Sequence, residues 1–153
     1  MPTLAANPAF VAYALSMLVL SLNLLLLWAY SGAVRGKVKV TPNNEDAGSV
    51  VKGAKVDEVN PPEVARVLRA HANAMANIVP FAILGLLFVL LGGSATVAYW
   101  VFGIFTAARL LHSFVYLAAK QPWRSLAFGI GAASTLVLMG FIVKALVAAC
   151  CGA

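Results

Sequence analysis

No Lys, Arg, Asp or Glu occurs between Met1 and Val34, and none between Ala70 and Ala108. Stretches of that length without formal charge restrict the chain to very few folds. A helix advances ~1.5 Å per residue, so the run from Phe10 to Tyr30 covers the ~30 Å hydrocarbon layer of a bilayer. The second run is too long for one crossing and is interrupted at Gly92-Gly93-Ser94, which suits a tight turn between two helices. Composition agrees: 62% of the 153 residues are hydrophobic and 10% charged, which excludes an ordinary soluble enzyme and a disordered tail. The sequence predicts an all-α integral, multi-pass membrane protein, one domain over 1–153, with spans at about 7–33, 62–91, 95–119 and 123–148. The first run lacks the basic flank of a secretory signal and exceeds its apolar core of about 7–15 residues, so it is expected to remain as a span.

The polar segment 34–61 reads as a single connecting loop and not a domain. It holds Arg35, Lys37, Lys39, Lys52 and Lys55; Lys120 and Arg124 fall on the same side of the membrane, and only Lys144 lies opposite. The positive-inside bias then places this loop in the cytoplasm and both termini on the other side. It also accounts for the net charge of +6 without any nucleic-acid partner. Two adjacent cysteines, Cys150 and Cys151, form neither a disulfide framework nor a metal site, so no metal is expected. They read as small apolar residues at a membrane edge.

Arg66, Arg69, Asn73 and Asn77 recur at helical spacing on one stripe of the second span, and Arg109, His112, Tyr116 and Lys120 on one stripe of the third. An arginine inside a span costs about 2.5–3.5 kcal/mol, so Arg66, Arg69, Arg109 and Arg124 are expected to face the bundle, a wet cavity or a subunit interface. The last three spans supply only Glu63 as a carboxylate. The result is a cationic pocket whose counter-charge an anionic ligand can provide. Asn73, Tyr116 and Ser125 add an amide and two hydroxyls suited to a peptide-like ligand. Apolar walls beside such a pocket suit a reaction between a water-soluble anion and a partner dissolved in the membrane lipid.

The segment Arg66-Val-Leu-Arg69-Ala-His71-Ala-Asn73, followed by Asn77-Ile-Val-Pro80-Phe81, resembles the second-helix signature of the MAPEG family, the membrane-associated proteins of eicosanoid and glutathione metabolism. Ala108-Arg109-Leu-Leu-His112-Ser-Phe-Val-Tyr116-Leu and Gln121-Pro122-Trp-Arg124-Ser-Leu-Ala-Phe128 are similar to its third- and fourth-helix motifs, and Asn44-Glu45-Asp46 to its Asn-Pro-Glu-Asp loop. The resemblance implies a four-helix, MAPEG-like bundle that assembles as a homotrimer, with glutathione as co-substrate bound between subunits near the cytoplasmic face. It implies that Arg124 stabilises the glutathione thiolate, assisted by Ser125. Arg35, Arg66, Arg69, Asn73, Arg109, His112, Tyr116 and Phe128 would hold or surround the tripeptide. Ala76 and Ala65 stand where the family has glutamates, which removes a contact to the glutathione amino end and a partner for Arg109. His71, on the far side of its helix from Asn73, is expected to make a structural hydrogen bond.

The activity so implied is conjugation of lipophilic electrophiles and reduction of lipid hydroperoxides, in the inner membrane of a bacterium or the endoplasmic reticulum of a eukaryote. Phe128 and Ala72 replace a tyrosine and an arginine of the prostaglandin-synthase branch, and so weigh against an isomerase of that kind. Arg124 in its Gln-Pro-x-Arg setting weighs against a non-catalytic lipid-binding scaffold. A channel would need a polar path, which 83–91 and 136–143 do not offer.

Overall fold

The computed structural model describes residues 4–152; residues 1–3 and 153, the ends of the expected domain, lie outside the described residues. After a short 3-10 turn at Leu4–Ala6, four long helices cross back and forth: α1 Pro8–Val38, α3 Pro62–Leu90, α4 Ala95–Leu117 and α5 Trp123–Cys151. Each is long and apolar enough to span a membrane, and together they make an all-α integral membrane protein. Between α1 and α3 lie β1 (Val40–Thr41), the short helix α2 (Asn44–Gly48) and β2 (Lys55–Val56).

The ends of the helices are set locally. Asn7 caps α1 by accepting from the Ala9 amide at 2.9 Å, with Pro8 in the first turn, where its missing N–H costs nothing. The helix does not stop at 33: it runs through Arg35 and Lys37 to Val38, and Lys39 ends it in a left-handed conformation at φ 54°. Nothing in Val34–Val38 breaks a helix, and two cations in its last turn complement the exposed carbonyls. At the other end of the bundle, Gly92 adopts φ +76° while the Gly93 and Gly92 amides donate back to Phe88 and Val89, a Schellman closure that needs glycine. The same closure, with Ala119 in the left-handed position, ends α4 at Leu117, two residues earlier than expected. Its bonds run from Lys120 to Val115 and from Ala119 to Tyr116.

The polar segment is folded rather than a plain loop. β1 and β2 pair in parallel with Val40 opposite Lys55, and Asp46 accepts from Asn43 at 3.0 Å. Lys55 bridges to Asp57 at 2.9 Å and, mainly through that hydrogen bond, holds the Asp57 carboxyl below its usual pKa.

Buried residues of α1 recur as Ala9, Ala12, Ser16, Leu20, Asn23, Leu27, Ser31 and Val34, in steps of three, four and four that keep them on one face of the helix. On α5 the matching series is Ala127, Gly131, Ser134, Leu138 and Ile142. Small residues let backbones approach where lipid gives no hydrophobic drive to associate. A Cβ on Gly85 would stand 3.0 Å from the Tyr13 ring and 3.1 Å from Phe102. The centre is aromatic: Phe81 stacks on Phe105 with centroids 3.5 Å apart, and Phe102 meets Phe81 and Phe88 edge-on.

Candidate functional site

The crossing pattern brings the C-terminal end of α4 and the start of α5 to the end of the bundle that carries the 39–61 segment. There Asn73 of α3, His112 and Tyr116 of α4, and Arg124, Ser125 and Phe128 of α5 line a cleft of about 270 Å3. His112 and Tyr116 stand one turn apart, with ring centroids 5.6 Å from each other, and Phe128 lies 6.2 Å from His112. Arg124 is placed with its guanidinium carbon 4.9 Å from the Tyr116 ring centroid. Gln121, in the turn before α5, fixes it further. With its amide oxygen facing the guanidinium, Gln121 accepts from Arg124 Nη2 at 2.6 Å and Nε at 3.2 Å, and its amino group donates to Ser125 Oγ at 3.1 Å.

These bonds decide what the cleft offers. Arg109 Nη2 donates to Asn73 Oδ1 at 2.6 Å, so Asn73 has its amino group left as donor. Arg109 Nη2 also approaches His112 Nδ1 at 3.4 Å, which places the imidazole proton on Nε2. Ser125 Oγ accepts from Gln121 and keeps its own O–H to give. With the Tyr116 hydroxyl and the free Nη1 of Arg124, the lining is rich in donors and holds no carboxylate. A cleft of this kind receives an anion with several acceptor atoms.

Arg109 is not itself in the cleft. It is 0% exposed, sealed between α3, α4 and α5, and its Nε and Nη1 have no acceptor among the described residues. It acts through Asn73 and His112, orienting both. On α3 its partner is Asn73, two turns from Ala65. A Cβ on Gly131 would stand 3.2 Å from Arg109 Cδ, so α5 yields the space the arginine occupies.

Three more arginines expected at the site lie elsewhere within the subunit. Arg35 donates to Asn60 Oδ1 at 2.7 Å and ties the end of α1 to the start of α3. Arg66 lines a separate cleft with Lys37, Glu63 and Tyr30. Arg69 is exposed on α3. The stripes on α3 and α4 therefore do not face each other along their length. Because the helices cross, Arg66 lies in a cleft walled mainly by α1, and the hydrogen bond from the α3 stripe to the α4 stripe is made at Asn73. Lys120 has left the helix altogether. Among the described residues, the side-chain hydrogen bonds of this stretch of α3 are made by Asn73 and Asn77, not by His71, which was expected to make one. Gln121, quoted above only within the Gln-Pro-x-Arg motif, is a further residue of the cleft's polar network; its signal was its place three and four residues before Arg124 and Ser125.

Four membrane-spanning helices, with a donor-lined cleft at one end of the bundle, define a small multi-pass integral membrane protein. The chain belongs to the MAPEG family, whose sequence pattern matches residues 13–144. It is 34% identical over 144 residues to Microsomal glutathione S-transferase 1 of Sus scrofa, spanning 92% of this chain and 93% of that protein. It is 32% identical over 141 residues to Microsomal glutathione S-transferase 1 of Homo sapiens, spanning 90% and 91%. Prostaglandin E synthase of Homo sapiens is 33% identical over 124 residues, spanning 80% of each chain.

Proposed function

We propose that this protein is a membrane-bound glutathione transferase that binds glutathione in the Arg124 cleft, ionises its thiol and delivers the thiolate to lipophilic electrophiles or lipid hydroperoxides from the bilayer. The observation that carries this reading is Arg124, held by Gln121 and Tyr116 with one guanidinium nitrogen free, at a cleft without a carboxylate. Glutathione brings two carboxylates, and its thiolate a third negative charge. Asn73, His112, Tyr116 and Ser125 are the donors for the peptide and its carboxylates, and Arg124 is the cation for sulfur. Lowering the thiol pKa by ~2 units takes about 2.7 kcal/mol of differential stabilisation, which one half-buried guanidinium and the neighbouring donors would supply together.

In conjugation, the thiolate attacks the electrophilic carbon and the leaving group departs with its electron pair. In peroxide reduction it attacks the terminal oxygen, the O–O bond breaks, and the lipid leaves as an alcohol after taking a proton. A second glutathione converts the resulting sulfenic acid to disulfide and water. The similarity to Prostaglandin E synthase keeps an isomerase as the second reading, in which the same thiolate rearranges a cyclic peroxide without net consumption of glutathione. Glutathione consumption per turnover separates the two.

Stopped-flow ultraviolet absorbance on mixing the purified protein with glutathione tests the reading directly. The expected result is a rapid thiolate signal before any second substrate is added. Arg124→Ala should fold, bind glutathione and give little thiolate. Arg124→Lys should recover only part, because an ammonium cannot keep both the fork to Gln121 and the contact with sulfur. Full thiolate formation by Arg124→Ala would overturn the mechanism.

A further inference from the structure

On another face of the subunit, α1 and α4 enclose an apolar groove of about 550 Å3. Its walls include Leu26, Leu27, Ala33, Leu110 and Phe114, and its inner end holds Asn23 and Ser113, which are joined to each other at 3.1 Å. From Asn23 to Ala33 the groove follows α1 for ten residues, about 15 Å, or half of a ~30 Å hydrocarbon layer. Its length is thus that of about one leaflet, and its outer end lies toward the 39–61 segment. At that outer end Tyr30 and Leu117 are shared with the cleft of about 340 Å3 that contains Lys37, Arg66 and Glu63. The tail-sized groove and the cationic cleft therefore adjoin at these two residues. Neither Lys37 nor Arg66 is in a salt bridge among the described residues, and two cations against one carboxylate leave the cleft a single net positive charge.

We propose that α1, α3 and α4 form a binding site for an anionic phospholipid of the bilayer, with one acyl chain in the α1–α4 groove and its headgroup at Lys37 and Arg66. The apolar length matches a leaflet-depth chain, the charge matches a phosphodiester, and the cleft has room for a glycerol phosphate rather than for a carboxylate alone. Tyr30 stands at the junction, where its ring packs on the chain and its hydroxyl reaches the interface. The second chain remains in the surrounding lipid. The site is separate from the Arg124 cleft and does not depend on glutathione.

Native mass spectrometry of the intact protein in mild detergent, with added phosphatidylglycerol or phosphatidylcholine, tests it. A single net surface charge predicts retention of phosphatidylglycerol about fivefold better than phosphatidylcholine. Lys37→Gln should abolish that preference. Glu63→Gln should raise it about fivefold further, a gain that misfolding cannot mimic. Ala33→Phe, which fills the groove from an exposed position and leaves the cations in place, should weaken retention of both lipids, with circular dichroism confirming the fold. Equal retention of the two lipids by the wild type, no gain in Glu63→Gln, or wild-type retention by folded Ala33→Phe would each overturn the proposal.

Discussion

At the scale of single residues, the cleft depends on how each polar group spends its hydrogen bonds. Asn73 gives its oxygen to Arg109, His112 its Nδ1, and Gln121 its oxygen to Arg124, and what remains pointing outward is donors. In the proposed mechanism Gln121 acts on the sulfur through Arg124, which it holds, and not by touching glutathione. Gln121→Ala should loosen Arg124 and lower the thiolate fraction at neutral pH. Gln121→Glu should lower it further, although a carboxylate would hold the guanidinium at least as firmly. A carboxylate there offsets the cation, so the sulfur feels less positive potential, its pKa rises, and ionisation needs a higher pH. The midpoint of thiolate absorbance against pH should move up in both variants, by about one unit or more for Gln121→Glu, since one unit corresponds to about 1.36 kcal/mol. A purely structural role for Gln121 would leave Gln121→Glu at the wild-type midpoint.

At the scale of helices, the buried Arg109 is accommodated because α5 presents Gly131 to it. Gly131→Ala places a methyl 3.2 Å from Arg109 Cδ and should destabilise the bundle by about 1–3 kcal/mol through overpacking. Gly140→Ala on the same helix meets nothing within 4 Å and should be neutral or gain up to ~1 kcal/mol in helix propensity. Thermal unfolding in detergent measures both, and equal effects would show that packing on Arg109 is unimportant. The four helices were legible because uncharged length and the Gly92-Gly93 turn are one-dimensional signals. The motif residues Asn73, His112, Tyr116, Arg124, Ser125 and Phe128 carried the family with them, and the structure brings those six to one cleft. Burial of Arg109 and the departure of Arg66 and Arg35 to other clefts were not legible. They depend on how helices cross, and a periodicity that marks one face of a helix does not say which neighbour meets that face at each level. The continuation of α1 to Val38 was missed for a different reason: charge marks the end of the membrane, not the end of a helix.

At the scale of the whole molecule, access and assembly follow from what the single subunit leaves exposed. Val50, in the 39–61 segment, is 79% exposed, and the two native cysteines are free and exposed. In a Cys150→Ala, Cys151→Ala background, Val50→Cys should react with an impermeant thiol reagent only from the cytoplasmic side, where the Arg124 cleft would then meet soluble glutathione. Labelling of intact cells would reverse the orientation. We propose that subunits assemble through α3. Arg69, Ala72, Ala76, Val79, Ile83, Leu86 and Leu90 are all exposed and alternate steps of three and four along the helix, a seam with small residues where backbones approach. Lipid tails contact the apolar members as well as another helix would but carry no acceptor for Arg69, so a subunit interface that supplies one is the better surroundings for this face. Closed cyclic symmetry would set the α3 seams around one axis, and three copies is the number the family resemblance implies. Mass measurement in mild detergent should give about three times 16.0 kDa after correction for bound detergent. Ala76→Trp, placed in the seam and outside the cleft of its own subunit, should shift the population toward monomer. Because Arg69 stands one turn from Asn73, loss of the trimer should also weaken glutathione binding if a neighbouring subunit completes the site. A stable monomer that ionises glutathione as fully as the assembled protein would overturn the intersubunit site and leave the α3 seam to lipid.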